Sequence, residues 1–239
     1  MRGAGGLVVL GGAVALPGAA DAADGRRIFG WERFGGFVGP GTDPLAAPRL
    51  AVYSDGLGVA DATRSMWLSG RVKAEIQHRA VDVLSHPANL RRRRGAPVIV
   101  DAPQTRFTTG RSTGVVDALE EYRGHHAYPK PLYDLLDAAA ALREQVLNNG
   151  KLFRPAAVRL VVVRLDEPDH DEPPSVVVKP WPVGVTIPPI DDNGRTGQAD
   201  VRGAAARRVM AAMTGTWQVF RTRRGTVLQA ARRYLLPDE

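Results

Sequence analysis

Three pairs of short strand-like segments, each joined by a tight turn, constrain the fold of this chain most strongly. The first pair flanks an Asp-Gly dipeptide at residues 55–56, which is typical of a β-hairpin turn. Segments joined by so few residues pair in opposite directions. The sequence therefore predicts antiparallel sheet. The expected hairpins are residues 50–53 with 57–61, residues 105–109 with 112–119, and residues 217–221 with 226–233.

Helical spacing appears in three other segments, residues 73–84, 131–147 and 202–213. The clearest is residues 131–147, where apolar residues recur at i, i+3, i+4 and i+7 between an initial proline and an Asn-Gly stop. A continuous Val-rich run in residues 157–165 favours a buried central strand. We therefore expect an α+β fold, with about three helices packed on one face of antiparallel sheet and no βαβ winding. Residues 28–239 form either one domain or two subdomains, residues 28–165 and 175–239.

The first 23 residues have the three parts of a secretory signal. A basic start precedes the apolar run of residues 7–16, and an Ala-x-Ala site follows at residues 20–22. Such a run is too short for a bilayer, which needs about 20 residues in a helix. A Gly/Ala-rich leader without a targeting role is the alternative. We expect a signal peptide at residues 1–23, no transmembrane segment, and a secreted or extracytoplasmic protein of the cell envelope.

Basic residues are concentrated near the end of the chain. The net charge is +7, and residues 202–237 hold eight arginines and no Asp or Glu. A second run of four arginines occupies residues 91–94. These runs either bind an anionic partner or form a solvated surface. The partner expected is an anionic envelope polymer, lipid headgroups or an envelope protein. Nucleic acid is not expected, because no aromatic interleaving or reading helix is evident. The candidate binding residues are Arg207, Arg208, Arg221, Arg223, Arg224, Arg232 and Arg233.

One segment has the spacing of a hydrolase nucleophile. Residues 110–114 read Gly-Arg-Ser-Thr-Gly, which fits the G-x-S-x-G elbow of α/β-hydrolases with Ser112 as nucleophile. Its acid would be Asp117, Asp134 or Asp137, and its base His170. The segment before Ser112 has only one large apolar residue, and βαβ alternation is missing. A hairpin tip is therefore the preferred interpretation, and a secreted serine hydrolase is the alternative.

No metal or cofactor is expected. The chain has no cysteine, which excludes disulfides, zinc-thiolate sites and Cys nucleophiles. The acidic residues 166–172 lack the EF-hand pattern. Residues 191–194, Asp-Asp-Asn-Gly, indicate a turn, and His125 with His126 lacks a third ligand. Phosphate-binding and dinucleotide-binding motifs are absent from the sequence.

Six short segments, in order, resemble a group of uncharacterised secreted or lipid-anchored actinobacterial proteins. They are GGFV at 35–38, PRLAVYSDG at 48–56, DAPQT at 101–105, FRP at 153–155, KPWP at 179–182 and LLPDE at 235–239. The resemblance implies an extracytoplasmic α+β protein and brings no catalytic residues. Ser54 stands where the group usually has Gly, and the lipid-modified Cys of many members is missing.

The layout of the first half also resembles emfourin-type protease-inhibitor modules, which implies a binding role. We therefore expect a non-enzymatic binding module with an Arg-rich face. A protease-inhibitor-like module is a further alternative to the hydrolase, with residues 168–189 as its candidate loop.

Overall fold

Two antiparallel-rich sheets organise the chain. The computed structural model describes residues 25–39, 41–110, 112–165, 177–191 and 194–239. Two short 3₁₀ helices, Pro87–Leu90 and Arg123–His125, accompany the main elements. The strands and α-helices, in chain order, are β1 (Arg27–Phe34), α1 (Thr42–Leu45), β2 (Leu50–Tyr53), β3 (Leu57–Ala60), β4 (Arg64–Trp67), α2 (Gly70–Leu84), β5 (Gln104–Thr109), β6 (Ser112–Asp117), α3 (Lys130–Asn149), β7 (Lys151–Leu152), β8 (Ala157–Arg164), β9 (Val178–Pro180), β10 (Thr196–Arg202), α4 (Gly203–Ala212), β11 (Gln218–Arg221) and β12 (Val227–Tyr234).

The N-terminal sheet contains seven strands in the order β6-β5-β1-β2-β3-β4-β7. Each neighbouring pair is antiparallel, and tight turns join β2 to β3, β3 to β4 and β5 to β6. Helices α2 and α3 cover one face and bury their apolar stripes against alternate strand residues such as Leu50 and Val52. Ser69 begins α2 by accepting the backbone N–H of Val72 at 3.3 Å. This arrangement gives the N-terminal sheet its own core.

The C-terminal sheet contains five strands in the order β10-β8-β12-β11-β9. The Val-rich β8 lies between β10 and β12, and only the β9–β11 pair is parallel among the described strands. Val158, Leu160 and Val162 share one face of β8 and form a core with Ala206 and Val209 of α4. Alternation along β8 leaves the intervening side chains on the opposite face of this sheet.

The two sheets meet at a junction, where Phe153 packs edge-on against Tyr234 of β12 with ring centres 6.5 Å apart. Its cluster contains Tyr53 and Leu57 of the N-terminal sheet together with Phe153 and Leu236. Helix α1 lies over β8 in the same region, where a Cβ on Gly41 would lie 2.8 Å from Val163. Helices α2 and α3 thus cover one face of the N-terminal sheet, α4 covers one face of the C-terminal sheet, and α1 lies at the junction.

The α+β fold predicted from the sequence is confirmed, and so are all three hairpins. The boundary between the two sheets is not where the expected subdomains divide. Strand β8 lies within residues 28–165 but pairs in the C-terminal sheet, so the boundary falls between Leu152 and Ala157. Strands β4, β7 and β10 have no counterpart among the strands expected from the sequence. The expected signal peptide lies outside the described residues. No helix in the described ranges has the length and hydropathy to cross a bilayer.

Candidate functional site

The seven candidate arginines do not form one surface. Arg207 and Arg208 lie exposed on α4, and Arg223 and Arg224 lie exposed in the turn between β11 and β12. Arg232 and Arg233 are adjacent on β12, so their side chains leave opposite faces of the C-terminal sheet. Arg221 ends β11, where its guanidinium donates to Gly225 O at 3.4 Å. The predicted Arg-rich face therefore divides into smaller groups.

Arg233 belongs to the junction rather than to a binding surface. It is 8% exposed and donates two hydrogen bonds, of 2.7 and 2.6 Å, to the carboxylate of Glu239. Its Nε also donates to Pro44 O at 3.0 Å. Burial favours the protonated form of Glu239, but the hydrogen bonds from Arg233 and from the backbone of Leu236 outweigh it and lower the pKa of Glu239. Arg233 is thus committed to stabilising the fold.

Arg232 is also occupied within the protein. Its Nε donates to Met213 O at 2.8 Å, and its guanidinium lies 4.8 Å from the centre of the Tyr234 ring. The carbonyl of Met213 follows α4, so Arg232 connects the end of that helix to β12. This role leaves Arg223 and Arg224 as the most accessible of the hairpin arginines.

Arg223 and Arg224 line a cleft of about 680 Å³ beside the β11–β12 hairpin. We call it the basic–apolar cleft. Arg164 at the end of β8 supplies a third guanidinium to its rim. One wall is apolar and follows β9; it consists of Trp181, Pro182, Val183, Val185, Ile187 and Ile190.

Trp181 fixes the apolar wall in place. Its backbone N–H donates to Arg221 O at 2.9 Å, and its indole Nε1 donates to Val185 O at 2.8 Å. The ring packs edge-on against Phe220, with ring centres 5.6 Å apart. Gly184 turns the chain with a φ of 76°. These contacts hold a proline-rich segment in one conformation although it forms no regular element.

Helix α4 supports the same wall from outside. Arg208 donates from Nη1 to Gly184 O at 3.3 Å. The neighbouring Val183 is 83% exposed, which leaves an apolar side chain in contact with solvent at the cleft. Arg208 therefore acts on the cleft through its wall and does not line it.

The turn between β11 and β12 projects two cations over the cleft. Thr222 N–H donates to Thr226 O at 2.9 Å, and Gly225, with a φ of 88°, donates to Thr222 O at 3.0 Å. Among the described residues, no ion pair joins Arg164, Arg223 or Arg224 to a carboxylate. As far as the described ranges extend, these guanidinium groups have no carboxylate partner and give the rim of the cleft a positive charge.

The chemistry of the lining residues suits binding. Within the described part of the chain, the cleft is lined by no Asp, Glu, His, Lys or Ser, the usual general acids, bases and nucleophiles. The hydroxyl of Thr222 is buried and has no hydrogen-bond partner among the described residues. The cleft therefore combines an apolar wall with three cations.

Ser112 lies in a β-hairpin. It is exposed, begins β6 and pairs with Thr109 of the antiparallel β5. A nucleophile elbow needs a strand-to-helix turn, which this pairing does not provide. Two expected acids have other partners, since Asp137 accepts two hydrogen bonds from Arg123 and Asp134 accepts Lys130 at 2.7 Å.

The remaining members of the expected triad are not brought to Ser112 by any described contact. Asp117, at the end of β6, accepts the amide of Gln104 at 2.8 Å. His170 lies outside the described residues, as do the acidic residues 166–172.

No group of three or more potential metal ligands occurs among the residues that the structure describes. His125 ends a 3₁₀ helix, and the adjacent His126 has a left-handed backbone. Asp191 accepts the backbone N–H groups of Arg195 and Thr196 at 3.0 and 3.2 Å, as expected for a turn. Residues 192–193 of that turn are outside the described ranges.

Comparison with protein-family models, curated proteins and solved structures finds no match. The resemblance to secreted actinobacterial proteins therefore stays a prediction. The chemistry of the cleft is the basis for assigning a function.

Proposed function

We propose that this chain is a non-enzymatic binding protein of the cell envelope and that the basic–apolar cleft is its ligand site. The ligand class is an anionic amphiphile, an apolar body that ends in a carboxylate or a phosphate. The signal-like residues 1–23 support the extracytoplasmic location.

The observation that carries the proposal is the pairing of three arginines with an apolar wall. Arg164, Arg223 and Arg224 line the same cleft as Trp181 and Val183, and no described carboxylate lines it. Guanidinium groups bind carboxylates and phosphates through paired, charge-assisted hydrogen bonds. The apolar wall gains free energy only if the ligand also has apolar surface to bury. Both halves of an amphiphile therefore have a counterpart here.

The size of the cleft agrees with a small ligand. Its volume of about 680 Å³ lies within the range of roughly 300–1,000 Å³ that is usual for small-molecule sites. The cleft lies at one end of the C-terminal sheet, between the segment after β9 and the β11–β12 turn. A chain-like molecule can lie along the wall with its charged end at Arg223 and Arg224.

This proposal narrows the sequence-based one. Of the seven arginines expected to bind an anion, Arg223 and Arg224 line the cleft and Arg208 supports its wall. Arg232 and Arg233 contact other parts of the protein. The sequence does not indicate that Arg164 binds a ligand, because a single arginine at the end of a Val-rich strand has no distinguishing context.

Calorimetric titration with dodecyl phosphate, dodecanoate and dodecanol tests the proposal. We expect the two anions to bind and the neutral alcohol to bind at least about tenfold more weakly, since hydrogen bonds to charged groups contribute roughly 1.5–3 kcal/mol. The double variant Arg223→Gln with Arg224→Gln should lose the preference for anions. Arg71→Gln with Arg154→Gln removes the same charge at exposed positions outside the cleft and is the matched control.

The apolar half of the site has its own test. Val183→Ser should weaken binding of dodecyl phosphate while leaving the weak binding of inorganic phosphate unchanged. Equal affinity for the alcohol and the anions would contradict the proposal. An equal loss in the cleft variant and the Arg71/Arg154 control would contradict it too, because binding would then follow net charge alone.

A further inference from the structure

A second exposed surface lies at one end of the N-terminal sheet, away from the cleft. Two loops there carry apolar side chains into solvent. Phe37, just after β1, is 93% exposed; Val98 and Val100, in the loop before β5, are 78% and 76% exposed. Single exposed apolar residues are ordinary, but three this exposed on adjoining loops are not. We call these three side chains the loop tips.

The two loops are joined by their backbones. Phe37 N–H donates to Asp101 O at 3.2 Å. Gly36 has a φ of 84°, and a Cβ there would lie 3.0 Å from the same carbonyl oxygen, so a side chain would push the loops apart. Asp101 itself has a φ of 54°. The close approach places Phe37 beside the Val98–Val100 loop.

Tyr122 holds the second loop from inside. Its hydroxyl donates to Pro97 O at 2.6 Å and accepts the backbone N–H of Ile99 at 3.2 Å. Ile99 packs on the core of the N-terminal sheet. Because the backbone is held at both Pro97 and Ile99, the side chain of Val98 points into solvent and does not reach the core.

Basic residues lie directly beside the loop tips. Residues 91–94 are four exposed arginines, and no Asp or Glu occurs between Asp82 and Asp101 in the sequence. Arg92 lines a cavity of about 350 Å³ together with Gly35, Gly36 and Ile99, which places the arginine run against both loops. Arg92 also donates to the Tyr122 hydroxyl at 2.7 Å.

The other three arginines have free charges. No ion pair joins Arg91, Arg93 or Arg94 to a carboxylate in the described part of the chain. Asp101 is exposed near the tips and offsets one positive charge at most. The surface is therefore apolar at its tips and cationic around them.

We propose that the loop tips and the flanking arginines form a docking surface for an anionic lipid bilayer. Phe37, Val98 and Val100 enter the boundary between headgroups and acyl chains, and Arg91, Arg93 and Arg94 contact the anionic headgroups. Apolar anchors combined with adjacent basic residues bind such surfaces through burial and charge together. An acidic protein partner would match the arginines but would need a pocket for each separately projecting tip.

Flotation with vesicles tests this surface. Vesicles of phosphatidylcholine with one third phosphatidylglycerol should carry the full chain upward, and pure phosphatidylcholine vesicles should not. Arg91→Gln with Arg94→Gln should reduce binding at least about tenfold, since each basic residue near an anionic surface contributes about 1 kcal/mol. Val98→Ser with Val100→Ser should reduce it comparably. Arg71→Gln with Arg154→Gln removes two exposed charges outside the cleft lining and the loop tips; it is the charge-matched control and should bind as wild type.

A second readout reports insertion itself. Phe37→Trp should keep binding, and the added tryptophan should shift its emission to shorter wavelength and be quenched by brominated acyl chains. All variants share residues 1–23, so differences between them report on the loop tips. Unchanged binding of the serine variant overturns the proposal, as does a tryptophan at position 37 that stays unquenched on bound vesicles. Equal loss in the Arg71/Arg154 control also overturns it, because adsorption would then be unspecific. Failure of this surface leaves the cleft titration unaffected.

Discussion

The hydroxyl of Tyr53 donates a hydrogen bond of 2.6 Å to the carboxylate of Asp238, which ties β2 to the segment that follows β12. Arg27 pairs with the same carboxylate, with its Nε 2.8 Å from Oδ2. Burial and the negative charge of Asp238 both raise the pKa of the Tyr53 hydroxyl. Tyr53 therefore stays protonated and remains a donor at the junction between the sheets.

Replacing Tyr53 by Phe should lower the free energy of unfolding by about 1–2 kcal/mol, because Asp238 loses a donor in a partly buried site. Urea denaturation of both proteins measures the difference. Tyr234→Phe is the matched control, since Tyr234 packs on the same cluster and its hydroxyl makes no hydrogen bond to a described residue. A larger effect in the control would contradict the role given to the Tyr53–Asp238 bond.

Acid should weaken the junction. Burial alone would raise the pKa of Asp238, but hydrogen bonds from Arg27 and Tyr53 outweigh it and lower that pKa. The pKa of Glu239 is also lowered. The pKa of Asp200 is lowered as well, chiefly by its hydrogen bonds with Arg159. The unfolded chain then binds more protons than the folded chain below pH about 4, so stability falls as the pH drops through the lowered folded pKa values.

Thermal unfolding measured between neutral and strongly acidic pH checks this expectation. The midpoint should fall most steeply below pH about 4, where ordinary carboxyls begin to protonate. Asp238→Asn should be less stable at neutral pH and should lose less on acidification. Parallel pH profiles for the variant and the wild type would show that Asp238 does not contribute.

Arg233 should be far more important to stability than its neighbours in the basic segment. Arg233→Met leaves the partly buried carboxylate of Glu239 without its main partner, and losing hydrogen bonds to a charged group costs about 1.5–3 kcal/mol. Arg207→Met removes an exposed charge on α4 and should change stability by less than about 0.5 kcal/mol. Denaturant unfolding compares the two, and equal effects would show that the Arg233–Glu239 pair stabilises nothing.

Tyr122→Phe should release the Val98–Val100 loop. The change removes the hydroxyl that contacts Arg92, Pro97 and Ile99, at about 1–3 kcal/mol of stability. Amide exchange at Ile99 should accelerate more than exchange in α3. Tyr128→Phe removes a hydroxyl that donates to Asp117 O instead, and it should leave exchange at Ile99 close to wild type. Slow exchange at Ile99 in both variants would contradict the anchoring role.

Ser112 should remain unlabelled by a fluorophosphonate probe under folding conditions. The serine begins a strand in an antiparallel hairpin, without the strand-to-helix turn that exposes and activates a nucleophile. Mass spectrometry of the probe-treated protein identifies any modified peptide. Stoichiometric labelling of Ser112, abolished by Ser112→Ala, would support the hydrolase hypothesis against the binding one.

Periodicity in the sequence predicts most of the regular elements because it reflects which side chains are buried. The apolar stripe of residues 131–147 lies within α3, and the Val-rich segment lies within β8. Strand β10 escapes such a prediction, because its sequence is mostly polar and it lies at the edge of the C-terminal sheet. An edge strand forms chiefly through backbone hydrogen bonds to its neighbour and buries few side chains. Backbone pairing produces no pattern of apolar residues from which the strand could be predicted.

The candidate sites are predictable only in part, since their properties arise from tertiary contacts. Counting charges in the sequence does not distinguish Arg223 from Arg233. In the structure Arg233 pairs with Glu239, whereas Arg223 lines the cleft. Sequence rules place apolar residues inside, so nothing in the chain marks Phe37 or Val98 as exposed. The KPWP segment resembles a segment of secreted actinobacterial proteins, but the sequence does not show that it forms a cleft wall. That position depends on the contact between Trp181 and Phe220.

The bond between Arg27 and Asp238 joins residues 211 positions apart, while every strand of the N-terminal sheet lies within residues 27–152. A chain that emerges from a ribosome or a translocation pore in order can complete that sheet and its helices early. The face of the sheet that bears Tyr53 and Leu57 then remains exposed to solvent until Leu236 has been synthesised and packs against it. During synthesis there is therefore an interval in which the N-terminal sheet is folded but exposes apolar side chains that promote aggregation. Binding by a chaperone would matter most in that interval.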